Sequence, residues 1–236
     1  MKPGREPCLT WATALTMTTG MVEAVSFLAL GPVFTAVQTG NMLLMSFALA
    51  GVGGLSVSAC AASLVGFTVG AVLSARFESY VQVSGHRWFT HALFVEAVLL
   101  AVAALVAWGI ERGGEPLSGR HYLVSALVAL AMGVRNVTTL RAKVPGMPTT
   151  VTTRALAALI GGSPLALDAR IAPGTRNEVR RAGSVTAMFA GGLLGAWMIH
   201  DDRLAPPVVV LVIAAYVLAI ALSFSFVPRE GSPEPR

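Results

Sequence analysis

An all-α bundle of six transmembrane helices, joined by two re-entrant or broken segments, is the architecture predicted for this chain. Three features lead there. Only 12% of the 236 residues are charged and 55% are hydrophobic, whereas a soluble domain carries roughly 25% charge. Several apolar runs approach 20 residues, long enough to cross the ~30 Å hydrocarbon core of a bilayer. Two weaker runs are interrupted by polar residues, and these are the segments expected to dip in without crossing.

The strong runs are Leu9–Leu30, Leu55–Ala75, Phe89–Ile110, His121–Leu140, Gly183–Ile199 and Pro207–Val227. The weaker ones are Val33–Ala50 and Pro148–Gly162. Lys2 and Arg5 precede the first run as they would in a signal peptide. That run also holds Thr13, Thr16, Thr18, Thr19 and Glu23, so it reads as a first span instead of a cleaved leader.

Lysine and arginine decide how many runs cross. With eight crossings and the N-terminus inside, ten of the 17 basic residues lie inside, five outside and two in spans. If the two weaker runs return to their own side, the tally becomes thirteen inside and three outside (Arg112, Arg120, Arg203), with Arg135 in a span. The positive-inside rule favours the second arrangement. It gives a cytoplasmic N-terminus at 1–8, a first membrane repeat at 9–110 and an external loop at 111–120. A second repeat follows at 121–227. A Pro-, Gly- and charge-rich cytoplasmic tail at 228–236 is expected to be disordered. The placement is that of a multi-pass membrane protein.

Displacing the chain by 113 residues aligns Gly20 with Gly133, Ala29 with Ala142, Pro32 with Pro145, Thr39 with Thr152 and Leu43 with Leu156. Each half holds three crossings, so the second enters from the opposite side: an inverted repeat, as in many secondary transporters. The spacings Gly66-x-x-x-Gly70 and Gly191-x-x-x-Gly195 recur in later helices and indicate close helix packing.

Polar residues inside the runs mark the candidate site. Thr13, Thr16, Thr19, Glu23 and Ser26 recur every three or four residues and share one helix face. Ser125, Arg135, Asn136 and Thr139 are grouped in the same way in the run from His121. An ionised side chain at membrane depth costs at least ~2.5 kcal/mol, so Glu23 and Arg135 must face protein or water. Thr39-Gly40-Asn41 reads as a break in the first weak run, and Pro32 and Pro145 as ends of the preceding helices. The candidate substrate or ion pathway is therefore Glu23, Gln38, Thr39, Asn41, Arg135, Asn136, Thr152 and Arg154. Glu96 and the Thr13–Thr16 pair are assigned to packing. Two readings stay open: these groups line a path, or they bond helices together.

The stretch "GMVEAVSFLALGPVFTAVQTGNMLLMSFALAG" (Gly20–Gly51) resembles the YoaK family of bacterial integral membrane proteins, defined by a domain of unknown function. So does "MGVRNVTTLRAKVPGMPTTVTTRALAALI" (Met132–Ile160). The resemblance runs from about Leu9 to Val227 and implies a fold and a membrane location, with no substrate. Glu23 stands where that family usually has Asp, Arg135 where Gln is usual, and Thr153-Arg154 where a second Thr-Gly pair is expected.

The functional expectation is a secondary transporter or permease for a small solute or ion, coupled to protons through Glu23. The competing one is a non-transporting scaffold or accessory subunit. An enzyme is not expected, since Gly-x-Ser-x-Gly, His-Glu-x-x-His and Gly-x-x-x-x-Gly-Lys are all missing from the sequence. No catalytic residue, cofactor or metal site is assigned; the four histidines lack ligand spacing and two cysteines make no disulfide framework. The net charge of +5 reflects membrane orientation, so nucleic acid is not an expected partner. Membrane lipid is, and the glycine faces allow a homodimer.

Overall fold

The computed structural model describes residues 6–83, 88–110, 117–142, 152–161 and 175–225. They form α-helices and one short 3-10 turn, with no strand among the described residues. In chain order the helices are α1 (Glu6–Ala29), α2 (Gln38–Leu49), α3 (Val57–Val83), α4 (Trp88–Val106), α5 (Gly119–Ala142), α6 (Thr152–Gly161), α7 (Thr175–Ile199) and α8 (Pro206–Ser225).

Six of them are long and apolar enough to span a membrane: α1, α3, α4, α5, α7 and α8. The other two are not. At ~1.5 Å per residue, the 12 residues of α2 reach about 18 Å, well short of a bilayer core. The 10 residues of α6 reach less. The count of six spans and two short segments matches the expectation from charge placement. Outward faces are apolar, as lipid requires: Val65, Val69, Val72 and Leu73 on α3, and Phe189, Leu193 and Trp197 on α7, are exposed.

In lipid there is little hydrophobic drive between helices, and close approach of small residues substitutes for it. The bundle is assembled on that principle. α1 packs along α7 and α3 along α5, while α4 lies against both α8 and α5. A Cβ on Gly191 would run into the Met17 carbonyl, and one on Gly70 into the Leu130 carbonyl. Gly20 faces the Met188 carbonyl and the Gly192 nitrogen, just as Gly133 faces the Phe67 carbonyl and the Ala71 nitrogen. Both Gly-x-x-x-Gly pairs therefore act as packing surfaces. Around them, Leu93, Leu100, Val128, Met132, Ile213 and Val217 form the apolar core where α4, α5 and α8 meet.

The interruption of the first weak run lies earlier than the sequence indicates. Thr39, Gly40 and Asn41 are in the first turn of α2; the non-helical stretch is residues 30–37. The cause is local. Gly31 adopts φ +102°, open to glycine and strained for other residues, and Pro32 cannot donate to the α1 ladder. Gly40 serves a different purpose, since a Cβ there would meet the Phe34 ring at 2.6 Å. α5 ends at Ala142; Pro145 and the segment 143–151 lie outside the described residues. So do the loop 111–116 and the tail from 226 onward. α7 begins at Thr175, well before the run at Gly183, so it carries Arg176, Arg180 and Arg181 on its first turns.

Candidate functional site

The polar face of α1 is buried inside the bundle. Thr16, Thr19, Glu23 and Ser26 are all inaccessible or nearly so, with Glu23 at 7% exposure. The threonine and serine hydroxyls return to the helix itself: Thr16 donates to the Ala12 carbonyl (2.9 Å), Thr19 to Leu15 (3.0 Å) and Ser26 to Val22 (2.8 Å). Such back-bonding lets a polar residue sit within an apolar helix without a stranded donor.

Glu23 does something else. Its Oε2 accepts from the Thr35 N–H (3.0 Å), and its Oε1 accepts from Ala36 (2.8 Å) and Val37 (2.7 Å). These are the backbone groups that lead into α2, whose N-cap, Val37, has no side chain able to cap. The first turn of a helix leaves N–H groups unsatisfied and carries partial positive charge. A carboxylate from a neighbouring span meets both needs. Ser26 and Thr35 share a hydrogen bond at 2.9 Å one turn further along.

Asn41, fully buried, closes the other side of the break. Its Oδ1 accepts from the Phe34 N–H (2.8 Å), and its Nδ2 lies near the Phe34 carbonyl (2.6 Å), Gln38 Oε1 (2.8 Å) and Ser63 Oγ (3.0 Å). Gln38 Nε2 donates to the Thr35 carbonyl at 2.8 Å and reaches Ser63 Oγ at 3.2 Å. Ser63 in turn donates to the Phe34 carbonyl at 2.7 Å. Irregular backbone is tolerated at membrane depth where protein satisfies it, and here α1, α2 and α3 do so together.

A second network lies one turn back along α1. Arg135 on α5, 1% exposed, donates from Nη1 to the Leu15 carbonyl (3.1 Å) and to Thr19 Oγ1 (3.0 Å). Its Nη2 is paired with Oε1 of Glu96 on α4, a residue wholly buried. Two atoms of this pair, Arg135 Nε and Glu96 Oε2, have no hydrogen-bond partner among the described residues. Thr19 and Glu96 both fall near the middle of their spans, Trp11–Ala29 and Trp88–Val106.

The structure thus brings Glu23, Gln38 and Asn41 into one network and sets Arg135 in the adjoining one. Thr39 is exposed on the far side of α2, away from both. Asn136 is half-buried beside Arg135, and its carbonyl accepts from Thr139 Oγ1 at 3.0 Å. Thr152 and Arg154 are placed on α6, with their side chains outside the description. Sequence reasoning missed the pairing of Glu96 with Arg135, as well as Ser63 and Thr35. The signal for the first was available: one acid and one base, each alone in an apolar run, are each too costly to bury unpaired.

Such a chain is an α-helical multi-pass membrane protein, built around a broken segment that a buried carboxylate ties to the first span. It belongs to the family described as "Protein of unknown function (DUF1275)", whose model matches residues 11–223. It is similar to the UPF0700 transmembrane protein YoaK of Bacillus subtilis (strain 168), with 29% identity over 154 residues. That match covers 64% of this chain and 65% of the relative, a little under two thirds of its length. The likeness to the YoaK family read from Gly20–Gly51 and Met132–Ile160 is upheld. No solved structure matches the chain.

Proposed function

We propose that this protein is a secondary transporter or permease for a small solute, without enzymatic activity, residing in the bacterial inner membrane with its N-terminus in the cytoplasm. The observation that carries the reading is the break before α2. A non-helical stretch, half of whose residues are buried, is held to α1 by Glu23. Broken segments of this kind are where transporters place their binding sites.

An inverted repeat is part of the same reading. The offset of 113 that relates Gly20 to Gly133 is joined by an offset of 121 relating Phe67 to Met188 and Ala71 to Gly192. Gly70 on Leu130 and Gly191 on Met17 obey the same two offsets. Two halves related in this way supply the matched bodies that alternating access needs.

Proton coupling follows from the chemistry of Glu23. Ionised, it accepts three backbone N–H groups; protonated, it loses most of its pull on them. Gain of a proton and release of the α2 start are then one linked event. Membrane lipid and the solute are the partners this reading requires, and a homodimer is compatible with it.

A scaffold or accessory role is the second reading, favoured by a specific observation: Gln38 and Asn41 are spent on partners within the protein. Flux separates the two. Purified protein in liposomes is screened with labelled solutes under an imposed pH gradient, alongside Glu23→Gln and Asn41→Ala variants shown to be folded by size-exclusion chromatography. The permease reading expects gradient-driven uptake by the wild type, lost in Glu23→Gln. Absence of uptake for every solute, with or without the gradient, favours the scaffold.

A further inference from the structure

Two buried polar atoms on α7 have no partner among the described residues: Nε of Arg180 and Oγ of Ser184. They lie four residues apart, so both project from one face of the helix. Ser184 is fully buried, whereas Arg180 is only half-buried. The arginine side chain therefore runs from accessible surface to a stranded N–H, with the hydroxyl one turn deeper. Unsatisfied buried atoms are rare in folded proteins, and each calls for an explanation. The nearest acid in the helix gives none: Glu178 is two residues before Arg180, about 200° around the axis.

The first half shows what such a position does. The offset of 121 that relates Phe67 to Met188 and Gly70 to Gly191 sets Ser63 on Ser184 and Ala59 on Arg180. α6 packs along α7 as α2 packs along α3. Ser63 is fully engaged there: it receives Gln38 and Asn41 and donates to the Phe34 carbonyl. In sequence, the offset of 113 sets Val151 on Gln38, Arg154 on Asn41 and Asn136 on Glu23. The second half thus lacks both amides that reach Ser63 and the carboxylate that caps the break. It carries two added arginines, Arg154 and Arg180, and no acid stands at any of these positions.

We propose that Arg180 and Ser184 hold an oxyanion, a carboxylate or phosphate group, that stands in the second half for the negative charge Glu23 provides in the first. Arg180 Nε–H and Ser184 Oγ–H both donate, and an oxyanion accepts from both. Guanidinium matches carboxylate and phosphate geometry, and its charge-assisted bonds offset part of the ion's lost hydration. A cation would meet Arg180 unopposed. A neutral acceptor would leave the arginine charge uncompensated at the start of the span Glu178–Asp202. The group belongs either to a free anion or to an anionic lipid headgroup, since α7 enters the bilayer beside Arg180. The correspondence between halves rests on the inverted repeat proposed above, whereas the two stranded atoms stand without it.

The test is thermal unfolding of the purified full-length protein in neutral detergent, titrated with sodium phosphate, sodium acetate or dihexanoyl phosphatidylglycerol. Sodium chloride holds the ionic strength constant. Wild type is expected to be stabilised saturably by at least one of the three. Stabilisation by phosphate or acetate identifies a soluble anion, and stabilisation by the lipid alone identifies a headgroup. Arg180→Gln is expected to weaken the apparent affinity about tenfold or more, the worth of a hydrogen bond to a charged group. Ser184→Ala gives up no bond within the protein, so it is expected to fold as wild type and to weaken the affinity about threefold. Arg203→Gln removes the same charge at the far end of α7 and is expected to keep wild-type affinity. Oxyanions that stabilise no more than chloride, or that stabilise both site variants as well as wild type, overturn the proposal. Oxyanion binding with no flux in liposomes sinks the permease reading alone; gradient-driven uptake by a protein that ignores all three probes sinks this site alone.

Discussion

Oε1 of Glu23 and the backbone nitrogen of Val37 lie 2.7 Å apart, although fourteen residues separate them in the chain. The bond joins the first span to the head of a helix that does not itself span. With the bonds to Thr35 and Ala36 it makes one carboxylate the cap for a whole broken segment.

Replacing that carboxylate should therefore cost stability in a graded way. Glu23→Gln keeps an acceptor but loses the charge, at about 1.5–3 kcal/mol. Glu23→Ala strands three buried N–H groups and should cost more. Thermal unfolding of the purified variants in one detergent is the measurement. An alanine variant as stable as wild type would contradict the capping role.

Arg135 and Glu96 should show strong energetic coupling. Either Arg135→Met or Glu96→Met leaves an unpaired buried charge, at about 3–5 kcal/mol each. The double variant removes both charges and should lose clearly less than the sum. A double-mutant cycle on unfolding free energies, returning additive losses, would show that the pair is not coupled.

The glycine seams predict a sharp contrast between positions. Gly191→Ala and Gly70→Ala force a methyl against the backbones of Met17 and Leu130, at about 1–3 kcal/mol or more. Gly53→Ala, in the α2–α3 connection with nothing within 4 Å, should be silent. Yield and melting temperature of the three variants read this directly.

The proposed cytoplasmic N-terminus puts Arg120 and Arg203 at the sparsely basic end. Ser118, His200 and Arg76 are all exposed. In intact cells, an impermeant maleimide should label Ser118→Cys and His200→Cys but not Arg76→Cys, in a background lacking Cys8 and Cys60. The reverse pattern would place the N-terminus outside.

How much of this was legible depends on how local each cause is. The buried face of α1 could be read from Thr16, Thr19, Glu23 and Ser26, because spacing alone sets a helix face. The six spans could be read because length and composition suffice. Thr39 shows how helix geometry separates neighbours in sequence. Gln38 and Asn41, three apart, point the same way, whereas Thr39 sits about 100° around the helix from Gln38 and ends up exposed. The start of α7 was hidden because Arg176, Arg180 and Arg181 do not read as apolar, although helix formation does not require that they should. The partner of Arg135 was hidden for a deeper reason. Glu96 is 39 residues away on another helix, and only tertiary packing decides which pair of faces meets.

The same distances set an order of events during synthesis. The Glu23–Val37 bond needs only the first forty residues and can form while the ribosome is still at work. α1 finds its companion α7 only after residue 199 has been made, because Met17 and Met21 pack on Gly191 and Gly195. Until then Thr16 and Thr19 rely on bonds to carbonyls of their own helix, and Glu23 on the loop it caps. An early-tied loop is thus what lets a polar span wait in the bilayer for the last third of its own chain.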